Sequence, residues 1–400
     1  MSNTVPDNSD QTSIPSKRTT LSRVPFVSDK VAQHFDAHCS VDTRFRRAMR
    51  VLAALWLQSE NIPNAAGDQH GRHLGSYLRA DAAEAGKNFI SDEVHMLALR
   101  ELLLREEGAL MDEDRLLSCA ISSSPAAYNL FGPMAVRLDL ASSVFRQLLP
   151  DFVHTVEAIT FEHSPGRRGN TPGDDRGDRY LQDRSAFDCV ARIVTPEGDR
   201  GSVFIECKLT EDLRAGPAAR WRERYDEAIK EVQLYKNPDS AILRSVACEQ
   251  LTREHCLAAL AVMNDATPRA KFIAIAPRLN RMASAAFQVY ANELLPFADD
   301  DPKRVEFRHF SLEAMIDAID LAGDQETADK LWRRYCDFQR VYDAVLAVIS
   351  PKASSDAPSV LTDASLHADN QKGKRYRASS RTKRAARPAA NSDAEELAHG

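Results

Sequence analysis

Asp188, Glu206 and Lys208 are the residues of this chain whose types and spacing could do chemistry. Glu206 and Lys208 stand two apart in the run 202–209, Ser-Val-Phe-Ile-Glu-Cys-Lys-Leu, where Val203, Ile205, Cys207 and Leu209 supply the apolar alternation of a strand with one buried face. Glu206 and Lys208 then share the opposite face with Phe204. Asp188 lies in an earlier strand-like run, 186–194, and the turn residues Pro196, Glu197, Gly198 and Asp199 between the runs predict a hairpin. That hairpin would set Asp188 beside Glu206. Two hard oxygen donors next to an ammonium suit a divalent cation, with a charge placed for water or phosphate.

An Asp followed, after a hairpin, by Glu-x-Lys resembles the core of the PD-(D/E)XK nuclease superfamily. The resemblance extends to Tyr-Asn-Leu-Phe-Gly-Pro at 128–133, Phe-Glu-His-Ser-Pro-Gly-Arg at 161–167, Arg-Ser-Ala-Phe-Asp at 184–188 and Glu-Cys-Lys-Leu-Thr-Glu at 206–211. Together these blocks look like a bacterial restriction-endonuclease-like branch, spread over residues 40 to 345. Where the superfamily often has Pro-Asp, this chain has Phe187-Asp188. The resemblance implies an α/β fold: a restriction-endonuclease-like core, with a central mixed sheet flanked by helices. It also implies a metal-dependent deoxyribonuclease using Mg²⁺, with Mn²⁺ as substitute. Asp188, Glu206 and the Cys207 carbonyl would hold the metal, and Lys208 would orient or help deprotonate the attacking water. Glu162, which closes the preceding strand run, is the further acid, favoured over Glu157. The implied partner is DNA, with no membrane, and a homodimer is left open. The rival reading is an inactive protein that keeps the fold and binds nucleic acid or a partner.

The elements that must position these residues are legible in outline. Phe45, Met49, Leu52, Ala53 and Trp56 recur at helical spacing behind a cap at Asp42, and Ser91-Asp92-Glu93 opens a second helix. Asn129 is read as a helix-to-turn transition ending at Gly132-Pro133, followed by a helix to Leu149 and a strand from His154 to Phe161. A helix over 215–235 carries interleaved charges, and Gln233 near its end matches a glutamine that relatives of the superfamily place against the site. Strands follow at 271–276 and 305–310, then a helix from Leu312 to Leu321 and one last helix with a core-facing stripe from Leu331 to Leu346. Asp301-Pro302-Lys303 also fits Asp-x-Lys, but its proline and acidic surroundings read as a turn.

Composition sets the remaining bounds. The sequence divides into an unfolded segment 1–28, a helical region 29–123, the nuclease-like core 124–350 and a basic tail 351–400. No secretory h-region or membrane-length apolar run is present, which reads as a cytoplasmic protein. Seven scattered cysteines without Cys-x-x-Cys argue against a zinc or disulfide framework. A Cys nucleophile with His163 or His255 is a minor reading, and His70 with His73 reads as loop. The net charge of −6 opposes non-specific nucleic-acid binding, except at the basic run 372–387, which suits either phosphate contacts or a solubilising disordered tail. The segment 164–183, dense in Gly, Arg and Asp, could close over a substrate backbone or satisfy its own charges.

Overall fold

The computed structural model describes residues 18–66, 74–167, 176–211, 213, 216–297, 301 and 304–350. The histidine loop, the middle of the 164–183 segment, Pro302-Lys303 and the basic tail lie outside the described residues.

In chain order the elements begin with α1 (Asp29–His34), α2 (Arg44–Ser59), α3 (Ala80–Glu84), α4 (Asp92–Leu103), α5 (Glu113–Ser118), α6 (Ser123–Val136) and α7 (Leu138–Leu148). Then come β1 (Thr155–His163), β2 (Phe187–Val194) and β3 (Arg200–Cys207), followed by α8 (Glu223–Val232), α9 (Glu249–Met263), β4 (Ala270–Ala276) and α10 (Arg281–Glu293). The described chain ends with β5 (Glu306–Ser311), α11 (Leu312–Leu321), α12 (Gln325–Tyr335) and α13 (Phe338–Ile349). The strands form one sheet in the order β1-β2-β3-β4-β5, antiparallel across β1-β2-β3 and parallel across β3-β4-β5.

The expected hairpin is present. Ala191 pairs with Val203 and Cys189 with Ile205, and Gly198 takes φ +91° in the turn, a conformation open to glycine at little cost. The sheet is buried on both faces, as a central mixed sheet must be. Cys189, Ala191, Val203, Ile205 and Ile273 join one core with Phe131, Phe145 and Met315 from the helices α6, α7 and α11. Val190, Phe204 and Phe272 join a second core with Ile229, Leu257 and Phe287 from α8, α9 and α10. Layers of helix on both faces are what hold a central strand such as β3 in place.

Several expectations are corrected. Thr43, not Asp42, caps α2, and Asp42 pairs instead with the buried Arg50. Helix α6 runs straight through Gly132-Pro133; Gly132 is needed there because a Cβ would stand 2.9 Å from Val94 Cγ1. The helix expected over 215–235 shrinks to α8, because Gly216 to Ala218 pair with the chain at 244–246. The single C-terminal stripe is two helices, broken at Cys336-Asp337, where both backbone N–H groups turn back to the Trp332 carbonyl. That corner lets α12 pack on α11 and α13 on α2. From Arg18 onward the segment read as unfolded is packed: Val24 and Val27 are buried, and Arg18 pairs with Asp317, Asp320 and Asp329.

Candidate active site

The three residues singled out by spacing do meet, at the end of the hairpin where β3 leaves the sheet. Phe161 pairs with Cys189 and His163 with Phe187, so Glu162 stands across from Asp188. Glu162 thus lies inside β1 rather than behind it. Its φ of +48° is a left-handed conformation for a non-glycine residue, worth about 1–3 kcal/mol of strain. The Arg167 guanidinium donates to the Glu162 carbonyl and braces this bend.

Asp188 Oδ2 accepts the backbone N–H of Cys207 at 2.8 Å, which ties β2 to the end of β3. Lys208 is held from both sides: its N–H donates to the Ile275 carbonyl at 2.7 Å, and its ammonium donates to Glu206 Oε1. The ammonium also donates to Gln250 Oε1 at 2.6 Å. Gln250 Nε2 in turn donates to Glu206 Oε1 and to Glu254 Oε1, each at 2.7 Å.

Strand alternation suggests an open strand end, and here the structure differs. Glu206 is 3% exposed and Lys208 5%, because α9 lies over this face of β3. Of the three residues, only Asp188 keeps a partly exposed edge. Burial has electrostatic consequences. The Glu162 carboxyl is pushed up to about 7 by desolvation and by Glu206, with Arg167 working the other way. Asp188 is raised well above the usual carboxylate range by desolvation, then by Glu206 and Glu162. Glu254 is raised likewise by desolvation and Glu206. Desolvation opposes the charge on Lys208, but Glu206, Glu254, Glu211 and Asp188 outweigh it and hold the ammonium above its ordinary value. Fully ionised, these carboxylates would outnumber the cations beside them.

That imbalance is the test of whether a cation fits. Among the described residues no three His, Cys, Asp or Glu side chains already form a cage. The donor set is nonetheless hard and under-neutralised. Asp188 Oδ1, Glu206 Oε2 and the Glu162 carboxylate take no hydrogen bond among the described residues. Such oxygens suit Mg²⁺ or Mn²⁺.

Two residues of this cluster, Gln250 and Glu254, escaped the sequence reading, and Tyr128 entered it only within the block 128–133. Gln250 occupies the place assigned to Gln233, which instead ends α8 with φ +53°. Glu254 lies one helical turn beyond Gln250, 2% exposed, with Oε2 unpartnered among the described residues. A carboxylate amid the apolar residues of α9 is the signal that could have marked it. Tyr128 stacks on Phe161 with ring centroids 4.3 Å apart, and its buried hydroxyl has no partner among the described residues. Desolvation, then Glu162, raises that hydroxyl far above its ordinary value, so the phenol faces the carboxylates in its neutral form.

Other candidates fall away. Arg167 is buried and spent on Glu106 at 3.0 Å and on the Glu162 carbonyl, so it does not reach a substrate. His163 pairs with Glu106 at 2.6 Å. His255 is enclosed between Tyr290 and the Val305 carbonyl, and burial lowers it to about 4. The Cys189 and Cys207 thiols are buried and pushed well up by desolvation, the opposite of an activated nucleophile. No helix among the described residues is long and apolar enough to cross a membrane.

A family model of the PD-(D/E)XK nuclease superfamily matches residues 40–337, from α2 through the whole sheet to the corner after α12. No curated protein and no solved structure gives a significant match. With residues 40–337 covered by one family model, the chain belongs to the PD-(D/E)XK nuclease superfamily.

Proposed function

We propose that the chain is a metal-dependent nuclease that hydrolyses phosphodiester bonds in DNA. One observation carries the reading: an ammonium, Lys208, is fixed beside Glu206 on the strand next to Asp188. Asp188, Glu206 and the Cys207 carbonyl would hold Mg²⁺ or Mn²⁺, which when bound polarises a phosphoryl oxygen and acidifies water. Cys207 supports Asp188 through its N–H, and Glu162 adds a third carboxylate opposite. Lys208 is kept charged by its neighbours, which favours a role in orienting water and balancing phosphate charge over one as a base. Gln250 fixes the ammonium so that this charge needs no rearrangement as the reaction proceeds.

The test is incubation of purified protein with plasmid and with linear DNA, with Mg²⁺, with Mn²⁺ and with neither, alongside Asp188→Asn from the same preparation. Metal-dependent cleavage lost in Asp188→Asn supports the proposal. DNA binding without cleavage in either metal would leave an inactive binding protein that keeps the fold.

A further inference from the structure

Beside the acidic cluster lies a cavity of about 640 Å³ with the opposite charge. Among the described residues Arg184, Arg220, Arg222 and Arg253 line it, against two carboxylates, Asp183 and Glu249. Asp183 is already spent. It accepts from the Ser185 N–H at 2.9 Å, the Ser185 hydroxyl at 2.8 Å and the Tyr225 hydroxyl at 2.8 Å. Arg253 is built into the wall: it donates to Ser185, sits 3.8 Å from Asp183 and lies 5.7 Å from the Tyr225 ring centre. Arg222 covers the same ring from 6.0 Å. Arg184, Arg220 and Arg222 are exposed at the cavity.

Arg184 has partners of its own, but Arg220, Arg222 and Arg253 still gather three guanidinium groups at one cavity, and in a protein of net charge −6 the surrounding field does not explain them. An anion does. Guanidinium forks match phosphate oxygens in pairs, and the volume is that of a ligand site. Position narrows the choice. Ser185 is three residues before Asp188, so their Cα atoms are at most about 11 Å apart. Arg253 is three residues beyond Gln250 on α9, which puts both on one side of the helix. Phosphates along one strand of a duplex advance about 3.4 Å each along the axis. A strand cut at the acidic cluster therefore brings a phosphate to this cavity within about three nucleotides of the scissile bond.

We infer that the arginine-lined cavity is a phosphate subsite that grips the cut strand within about three nucleotides of the scissile bond. The inference rests on the nuclease reading for its choice of ligand. The phosphate is either internal to the strand, a monoanionic diester, or at its end, a largely dianionic monoester, and both present non-bridging oxygens to the guanidinium forks.

The experiment measures binding, so it does not depend on cleavage. Fluorescence anisotropy of a labelled duplex follows the Asp188→Asn protein across a salt series, with and without Arg220→Ser/Arg222→Ser. The double variant is expected to bind at least about fivefold more weakly at low salt, with the slope of log K against log salt falling by about 0.9 for each phosphate it no longer neutralises. Arg192→Ser, an exposed arginine in β2, serves as control and keeps the slope. Arg222 also donates to the Gln182 carbonyl, so Arg220→Glu alone provides a variant that leaves this bond intact and should weaken binding in the same direction. A deficit that vanishes when the end phosphate is removed from the duplex assigns the subsite to strand ends. A deficit retained on circular DNA assigns it to internal phosphates. An unchanged slope in both arginine variants overturns the subsite, whereas absence of metal-dependent cleavage by the unsubstituted protein overturns the nuclease reading alone.

Discussion

Gln250 joins Lys208 to Glu206: its carbonyl oxygen takes the ammonium at 2.6 Å while its amide nitrogen donates to the carboxylate at 2.7 Å. The amide can face only one way, because an ammonium only donates and a carboxylate only accepts. Gln250→Ala is expected to lower cleavage by about 10- to 100-fold, the scale typical of residues that orient a metal site from behind. Gln250→Glu should do worse, since it adds a carboxylate between Glu206 and Glu254. Rates on one substrate at saturating metal decide this, and a Gln250→Ala protein as fast as the parent would remove Gln250 from the site.

Glu254 tests the charge balance. Desolvation and Glu206 favour its neutral form, so Glu254→Gln should change stability by less than about 1 kcal/mol. Glu254→Leu deprives the Gln250 amide of its second partner and should cost about 1–3 kcal/mol. Denaturant titration of both variants separates the cases. Equal losses in the two would mean that Glu254 is ionised in the folded protein.

Lys208 and Glu206 are buried together, so removing one partner strands the other. Lys208→Ala is expected to cost about 3–5 kcal/mol of stability as well as cleavage. Lys208→Ala together with Glu206→Gln should recover part of the stability and none of the activity. Thermal melts and cleavage assays on the same preparations would show this. A Lys208→Ala protein cleaving at the parental rate would refute the role given to the ammonium.

Glu162 sets a pH dependence in metal-free protein. Its carboxyl is at about 7 in the fold against about 4.3 in an unfolded chain, so the folded state holds the extra proton between those values. Its contribution is complete below the unfolded value and is lost as pH rises through about 7. Stability should therefore fall between about pH 4.3 and 7, by at most on the order of 3 kcal/mol from this group. Glu162→Gln should flatten that fall. Melting temperatures of both proteins in chelator, across the pH range, give the answer, and identical slopes would contradict it.

Asn129 predicts a stability defect with no chemistry of its own. It accepts from the Ile90 N–H at 2.9 Å and donates to the Asn88 carbonyl at 3.0 Å and the Tyr335 hydroxyl at 2.9 Å. Asn129→Ala should cost about 3 kcal/mol and leave metal affinity of the surviving folded protein unchanged. Calorimetry with Mn²⁺ would detect any change in that affinity.

What the sequence by itself determined is local. The alternation in 202–209 and the turn at 196–199 dictate β3, its hairpin and the side on which Glu206 and Lys208 emerge, because pleat and turn chemistry act between near neighbours. Asp188 beside Glu206 follows from that register. The strands at 271–276 and 305–310 were legible for the same reason. The tertiary structure alone decided that this strand end is covered. Gln250 reaches Lys208 from 42 residues away, because the apolar faces of α9 and the sheet pack together. Apolar periodicity says that a helix has a face to bury, not which strand it will cover, so Gln233 and Gln250 could not be told apart from spacing. The same holds for Arg167, in a segment read either as closing over a substrate backbone or as satisfying its own charges: packing sets it against Glu106. Local geometry fixes which atoms a strand presents; only long-range burial fixes what they meet.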